Sequence, residues 1–165
     1  MAKPRPPIER LGASFRINLD EEERELIGRL MGELRELLAE PSGDDRLRRL
    51  FPAAYHAEAD RAKDEEYQRL MRDELLASRL TGLDTVEAFF DTSDPDWDES
   101  LTEGQMTAFV QALNGVRLVL GTILDISEEH DVDEMDDDHP LVGEFQLYNF
   151  LSWVLDWSIR ALQAG

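Results

Sequence analysis

The chain has 165 residues, with 17 Lys+Arg against 37 Asp+Glu, a formal net charge of −20, 42% apolar residues and no cysteine. That length suits one domain able to bury about two-thirds of its unfolded surface, and the apolar share is too high for a chain disordered throughout. The lack of cysteine excludes disulfides, thiolate metal sites, Fe–S clusters and cysteine redox switching within these residues.

Residues 1–7 are Pro-rich and basic and read as a flexible arm, ahead of a single helical domain over residues 8–165. Ile8 to Leu11 and Ser14 to Leu19 flank Gly12-Ala13. Phe15, Ile17 and Leu19 alternate with polar residues, the period of a half-buried strand. A Gly-led two-residue connection suits a type II′ turn, so a small N-terminal hairpin is expected. The first long helix follows, capped by Asn18 or Asp20 with Glu21 or Glu23 as capping-box partner. Its stripe is Leu26, Ile27, Leu30, Met31, Leu34, Leu37 and Leu38, and Pro41-Ser42-Gly43 ends it. A short helix is expected over Asp44 to Leu50.

A longer helix covers about Asp64 to Phe90, with Tyr67, Leu70, Met71, Leu75, Leu80 and Leu83 as core candidates and Gly82 as a potential interruption. Residues 91–100 form an acidic loop. Thr102 then caps a helix to about Leu124, lined by Met106, Phe109, Val110, Leu113, Val116, Leu120 and Leu124. Ala112, Val119 and Ile123 widen that face. Gly115 and Gly121 weaken this helix by about 1 kcal/mol each relative to Ala, or admit a neighbouring helix at close range. Residues 125–140 form a second acidic loop, with nine carboxylates and no Lys or Arg between Asp125 and Asp138. The last helix, about Leu141 to Ala164, is apolar nearly all round and carries no charge from Phe145 to Leu155. Such a helix is either central in the fold or covered by a second subunit. The fold class is therefore mainly all-α, a bundle of about five helices with a small N-terminal β-hairpin. A homodimer is a natural arrangement for it. No run approaches the roughly 18 apolar residues of a membrane span, and no apolar signal core follows Met1. The expectation is a cytoplasmic protein with no membrane partner.

The charge is unevenly placed. Residues 1–80 hold 15 bases and 18 acids, and residues 81–165 hold 2 and 19. A field of that sign makes nucleic-acid binding by the C-terminal half unfavourable. A duplex would have to use Arg46, Arg48, Arg49 and the further arginines up to Arg79, whose interleaving with acids reads as a solvated face with pairs such as Glu65–Arg69.

Sites for chemistry are scarce. Asp94-x-Asp96-x-Asp98 opens like a calcium loop, but the sixth position is Glu99 rather than Gly and the twelfth is Gln105 rather than Glu. His56, His130 and His139 lie in turn-like or acidic stretches. No nucleophile elbow or Gly-rich phosphate cradle is present. Catalytic, cofactor and metal residues are accordingly read as none, and the protein as no enzyme. Asn114 and Arg117, three apart in an apolar setting, form either an anion-recognition pair or a structural pair, with Arg117 bridged to an acid such as Asp125 or Asp156. Arg160 pairs with Asp156 on its own helix. Among the tryptophans, Trp97 in the acidic loop is the interface candidate, with Arg46, Arg48 and Arg49, while Trp153 and Trp157 read as core.

Two stretches carry a resemblance. Arg49-Leu50-Phe51-Pro52-x-Ala54-Tyr55, followed by Tyr67-Gln68-Arg69-Leu70 and Glu74-Leu75, is one. Ala112-Leu113-Asn114-x-x-Arg117-Leu118-x-Leu120-Gly121, with Tyr148, Leu151, Trp153 and Leu155 near the end, is the other. Over about residues 14–163 the chain resembles an actinobacterial family formerly described as a domain of unknown function and now called AosR-like, for oxidative-stress transcriptional regulators. The resemblance implies a cytoplasmic regulator working with the transcription machinery. With no DNA-reading helix in evidence, it points to a protein partner. The alternatives are a DNA-binding regulator using the Arg-rich N-terminal half and, more distantly, a metal-dependent enzyme.

Overall fold

The computed structural model describes residues 5–39, 61–91, 100–124 and 142–164. The expected helix over 44–50, most of both acidic loops, Trp97, Arg46, Arg48, Arg49 and the three histidines lie outside them. The described residues form four helices and a three-stranded antiparallel sheet, so the chain is mainly all-α with a small N-terminal hairpin.

Strands β1 (Ile8–Leu11) and β2 (Ser14–Ile17) pair in the expected hairpin, with Ile8 opposite Ile17 and Leu11 opposite Ser14. Gly12 has φ 67°, as the first central position of a II′ turn requires. Alternation along β2 buries Phe15 and Ile17. The sequence pattern missed a third strand, β3 (Ser100–Leu101), which pairs with Arg16 and Phe15 and buries Leu101. Two residues are too few to show a period. Asn18 does not cap the first helix. It ties down the chain before β1, donating its backbone N–H to the Pro7 carbonyl at 2.7 Å and its amide to the Pro6 carbonyl and Glu9.

Asp20 takes the capping role. Its carboxylate accepts from the Glu23 N–H at 2.8 Å, and the Glu23 carboxylate accepts from the Asp20 N–H at 3.1 Å. This reciprocal box starts α1 (Glu21–Ala39), which buries Ile27, Leu30, Met31, Leu34 and Leu38 as its stripe predicts. Helix α2 (Arg61–Phe90) runs unbroken through Gly82. Among its described side chains Leu83, Val86 and Phe89 are buried, whereas Leu70, expected in the core, is 62% exposed. Leu70 lies on a part of α2 that the other described elements leave to solvent.

Thr102 caps α3 (Glu103–Ile123) through a second reciprocal box with Gln105. Helix α3 packs against α1, α2, α4 and the sheet. It is long and apolar enough to cross a membrane by length and composition, with mean hydropathy 1.3 over its most apolar window, yet 56% of that window is buried inside the fold. Burial on several sides is what an apolar helix in a bundle centre shows. Ile123, expected to widen the core face, is instead exposed.

Helix α4 (Val142–Gln163) lies on one side, packed against α3 and β1. It buries Phe145, Leu151, Val154, Leu155, Ser158 and Ala161. Trp153 and Ile159, read from the sequence as inward-facing, are 46% and 38% exposed, while Trp157 is partly buried against the core. Arg10 joins the sheet to this helix. Its guanidinium donates to the Leu162 carbonyl at 3.2 Å and to the Gly12 carbonyl at 3.0 Å, with the Phe15 ring 5.1 Å away. A cation at a helix C-terminus also opposes the negative end of the dipole.

Two substitutions test these assignments by urea unfolding. Thr102→Ala removes a cap and should cost about 1 kcal/mol, largely recovered by Thr102→Ser. Gly12→Ala meets no neighbour within 4 Å, so its expected loss of about 1–2 kcal/mol is backbone strain alone.

Candidate binding site

Several arginines of the N-terminal half that the structure describes are already engaged. Arg24 donates to the Ile17 and Leu19 carbonyls. Arg35 on α1 spans to α2, reaching Asp84 at 2.6 Å and Glu87 at 3.0 and 3.1 Å. The hydrogen bonds it donates to Glu87, then to Asp84, hold the Arg35 guanidinium above its ordinary pKa. This α1–α2 clamp joins residues 49 and 52 apart, a separation that leaves no trace in local spacing.

Asn114 and Arg117 meet as their spacing suggests. The Arg117 guanidinium donates to Asn114 Oδ1 at 3.0 Å, makes a long 3.5 Å contact to the Tyr148 hydroxyl and lies 5.8 Å from the centre of the Tyr148 ring. Its Nε is buried without a hydrogen-bond partner among the described residues. The pair therefore bridges α3 to α4 through neutral groups. Asp156, one of the two acids expected to hold Arg117, pairs instead with Arg160 at 3.1 Å, as also expected, and Arg160 sits over Trp157. The other acid, Asp125, lies outside the described residues.

Arg79 differs in being half-buried and unpaired among the described residues. It projects from α2 into a cleft of about 240 Å³ between α1, α2 and α3. The apolar wall comes from Leu34, Leu75, Leu83 and Ala108; Ser78, Gln111 and Asn114 add polar groups at the rim. Among the described residues the buried Arg79 Nε has no hydrogen-bond partner, and no carboxylate acts on its guanidinium. Burial alone lowers its pKa from the ordinary arginine value, yet a guanidinium remains charged throughout the physiological range. The close approach is permitted by Gly115. A Cβ there would lie 3.4 Å from Arg79 Nη1 and 3.3 Å from Leu34 Cδ2, so this glycine does admit its neighbours, as one reading of the α3 sequence proposed.

The sequence placed Arg79 on a solvated, acid-interleaved face, and the structure corrects that. The signal was present in the helix register. Positions 75, 76, 82 and 83, one turn away on either side, are Leu, Leu, Gly and Leu, so no acid can reach Arg79 along its own helix. Among the described residues, no group of three or more Asp, Glu or His gathers as metal ligands.

An unpaired half-buried cation costs stability. Arg79→Leu should raise the unfolding free energy by about 1 kcal/mol, seen as a higher urea midpoint at unchanged slope. Asn114→Ala should move the other way by about 1–2 kcal/mol, because it strips Arg117 of its closest acceptor.

No curated protein and no solved structure matches the chain. One family model does, over residues 5–162. The chain belongs to the family described as a domain of unknown function, DUF2017.

Proposed function

We propose that this protein is a non-enzymatic, cytoplasmic regulator that works through protein–protein contacts. The observation that carries the reading is Trp153, 46% exposed on α4. Its ring tilts against that of Phe150 at 6.2 Å between centroids. Exposed Gln146 and Asn149 lie on the same stretch of helix, which has no charge from Phe145 to Leu155. An aromatic anchor in a neutral strip, set in a chain of net charge −20, has the make-up of an interface centre with a charged rim. Such a field attracts partners with a basic periphery and speeds their encounter.

The resemblance to AosR-like regulators supports the regulatory half of the proposal and a partner in the transcription machinery. A DNA-reading role draws less support. Arg10, Arg24 and Arg35 spend their donors inside the fold, leaving fewer to neutralise phosphates.

The test is affinity capture from native lysate with wild type and Trp153→Ala. Wild type should retain a specific partner that weakens between about 0.05 and 0.3 M salt. Trp153→Ala should lose it while staying folded, with a thermal midpoint lowered only by the loss of the half-covered ring and its Phe150 contact. Capture of the same proteins by both forms would refute the assignment, as would none by either. A light-scattering mass of two chains that falls to one in Trp153→Ala would show instead that the partner is a second copy.

A further inference from the structure

We propose that the Arg79 cleft is a binding site for a small organic carboxylate with an apolar body. This does not rest on the α4 surface and stands or falls separately from it. Four observations converge on the site. The guanidinium is half-buried and has no ionic partner among the described residues of a chain with 37 acidic side chains. No acidic residue is among the described residues that line the cleft. Asn114, which lines the cleft, commits its Oδ1 to Arg117 and so has its amide N–H groups left as donors. Gly115 provides the room in which the guanidinium sits.

The donor set selects the ligand class. A guanidinium fork matches the two oxygens of a carboxylate, and the Asn114 amide, Ser78 and Gln111 can add single hydrogen bonds at the rim. Leu34, Leu75, Leu83 and Ala108 then offer a hydrocarbon body the remaining space, which inorganic phosphate would leave unfilled. A volume of about 240 Å³ is below the usual range for drug-sized ligands, so the fit is to a short aliphatic or aromatic acid. Ligand binding would also supply the counter-charge that the fold withholds from Arg79.

Benzoate and butyrate, with chloride and inorganic phosphate at matched ionic strength, are suitable probes. Two readouts apply: thermal unfolding, and the NMR signal of the Arg79 side-chain Nε–H in the full chain. Wild type should show a saturable rise in Tm and a saturable shift of that signal with benzoate or butyrate, and neither with chloride. Arg79→Leu should weaken carboxylate binding at least about tenfold, the loss of one charge-assisted hydrogen bond. Ala108→Leu, which keeps the cation and fills the apolar half, should weaken it similarly. The proposal is overturned if benzoate and butyrate act as chloride does, if Arg79→Leu binds them as wild type does, or if phosphate binds as tightly as they do and Ala108→Leu leaves that unchanged.

Discussion

Helix α3 sets the constraint from which the architecture follows. Ten of its residues, from Met106 to Thr122, are buried, too many for one face of a helix. A helix that is apolar on several sides must be covered on several sides. Here α1, α2, α4 and the sheet provide the cover. Phe109 meets Phe90 of α2 with centroids 5.9 Å apart, Gly115 admits Leu34 of α1, and Arg117 reaches Tyr148 of α4. Helix α1 can then be amphipathic in the ordinary way, whereas α4 keeps apolar residues on more than one face.

This arrangement also sorts the cations. Arg10 and Arg24 close the sheet and the entry to α1 by hydrogen-bonding carbonyls, and Arg35 holds α1 to α2 through two carboxylates. The last is partly exposed, so solvent limits its worth to that of a surface ion pair. Arg117 places its terminal nitrogens against neutral oxygens and its guanidinium near an aromatic face, with Nε left unpaired among the described residues. Among the described residues, Arg79 is drawn into an apolar cleft without a partner. Stability does not explain such a residue, and local departures from stabilising chemistry concentrate where a fold meets something else.

The α4 surface departs in the opposite sense. Trp153 is a large apolar side chain that the fold leaves uncovered, whereas Trp157, one turn on, packs against the core beneath Arg160. The two indoles have the same local sequence signal: both sit in a helix whose apolar residues occupy more than one face. What separates them is which side α3 and β1 happen to cover. A reading by periodicity cannot know how much partner surface a helix will find.

The local features were legible in the residues because their causes are local. The hairpin at Gly12, the boxes at Asp20–Glu23 and Thr102–Gln105, the α1 stripe, the Asn114–Arg117 contact and the Arg160–Asp156 pair each depend on groups within four residues of one another. Steric limits on φ and the 3.6-residue repeat fix such outcomes before any long-range packing exists. Strand β3, the placement of α3 rather than α4 at the centre, the Arg35 clamp, the exposure of Trp153 and the isolation of Arg79 are different. Each depends on which distant surfaces meet, and burial area, close approach and missing counter-charges come into being only when the helices have packed.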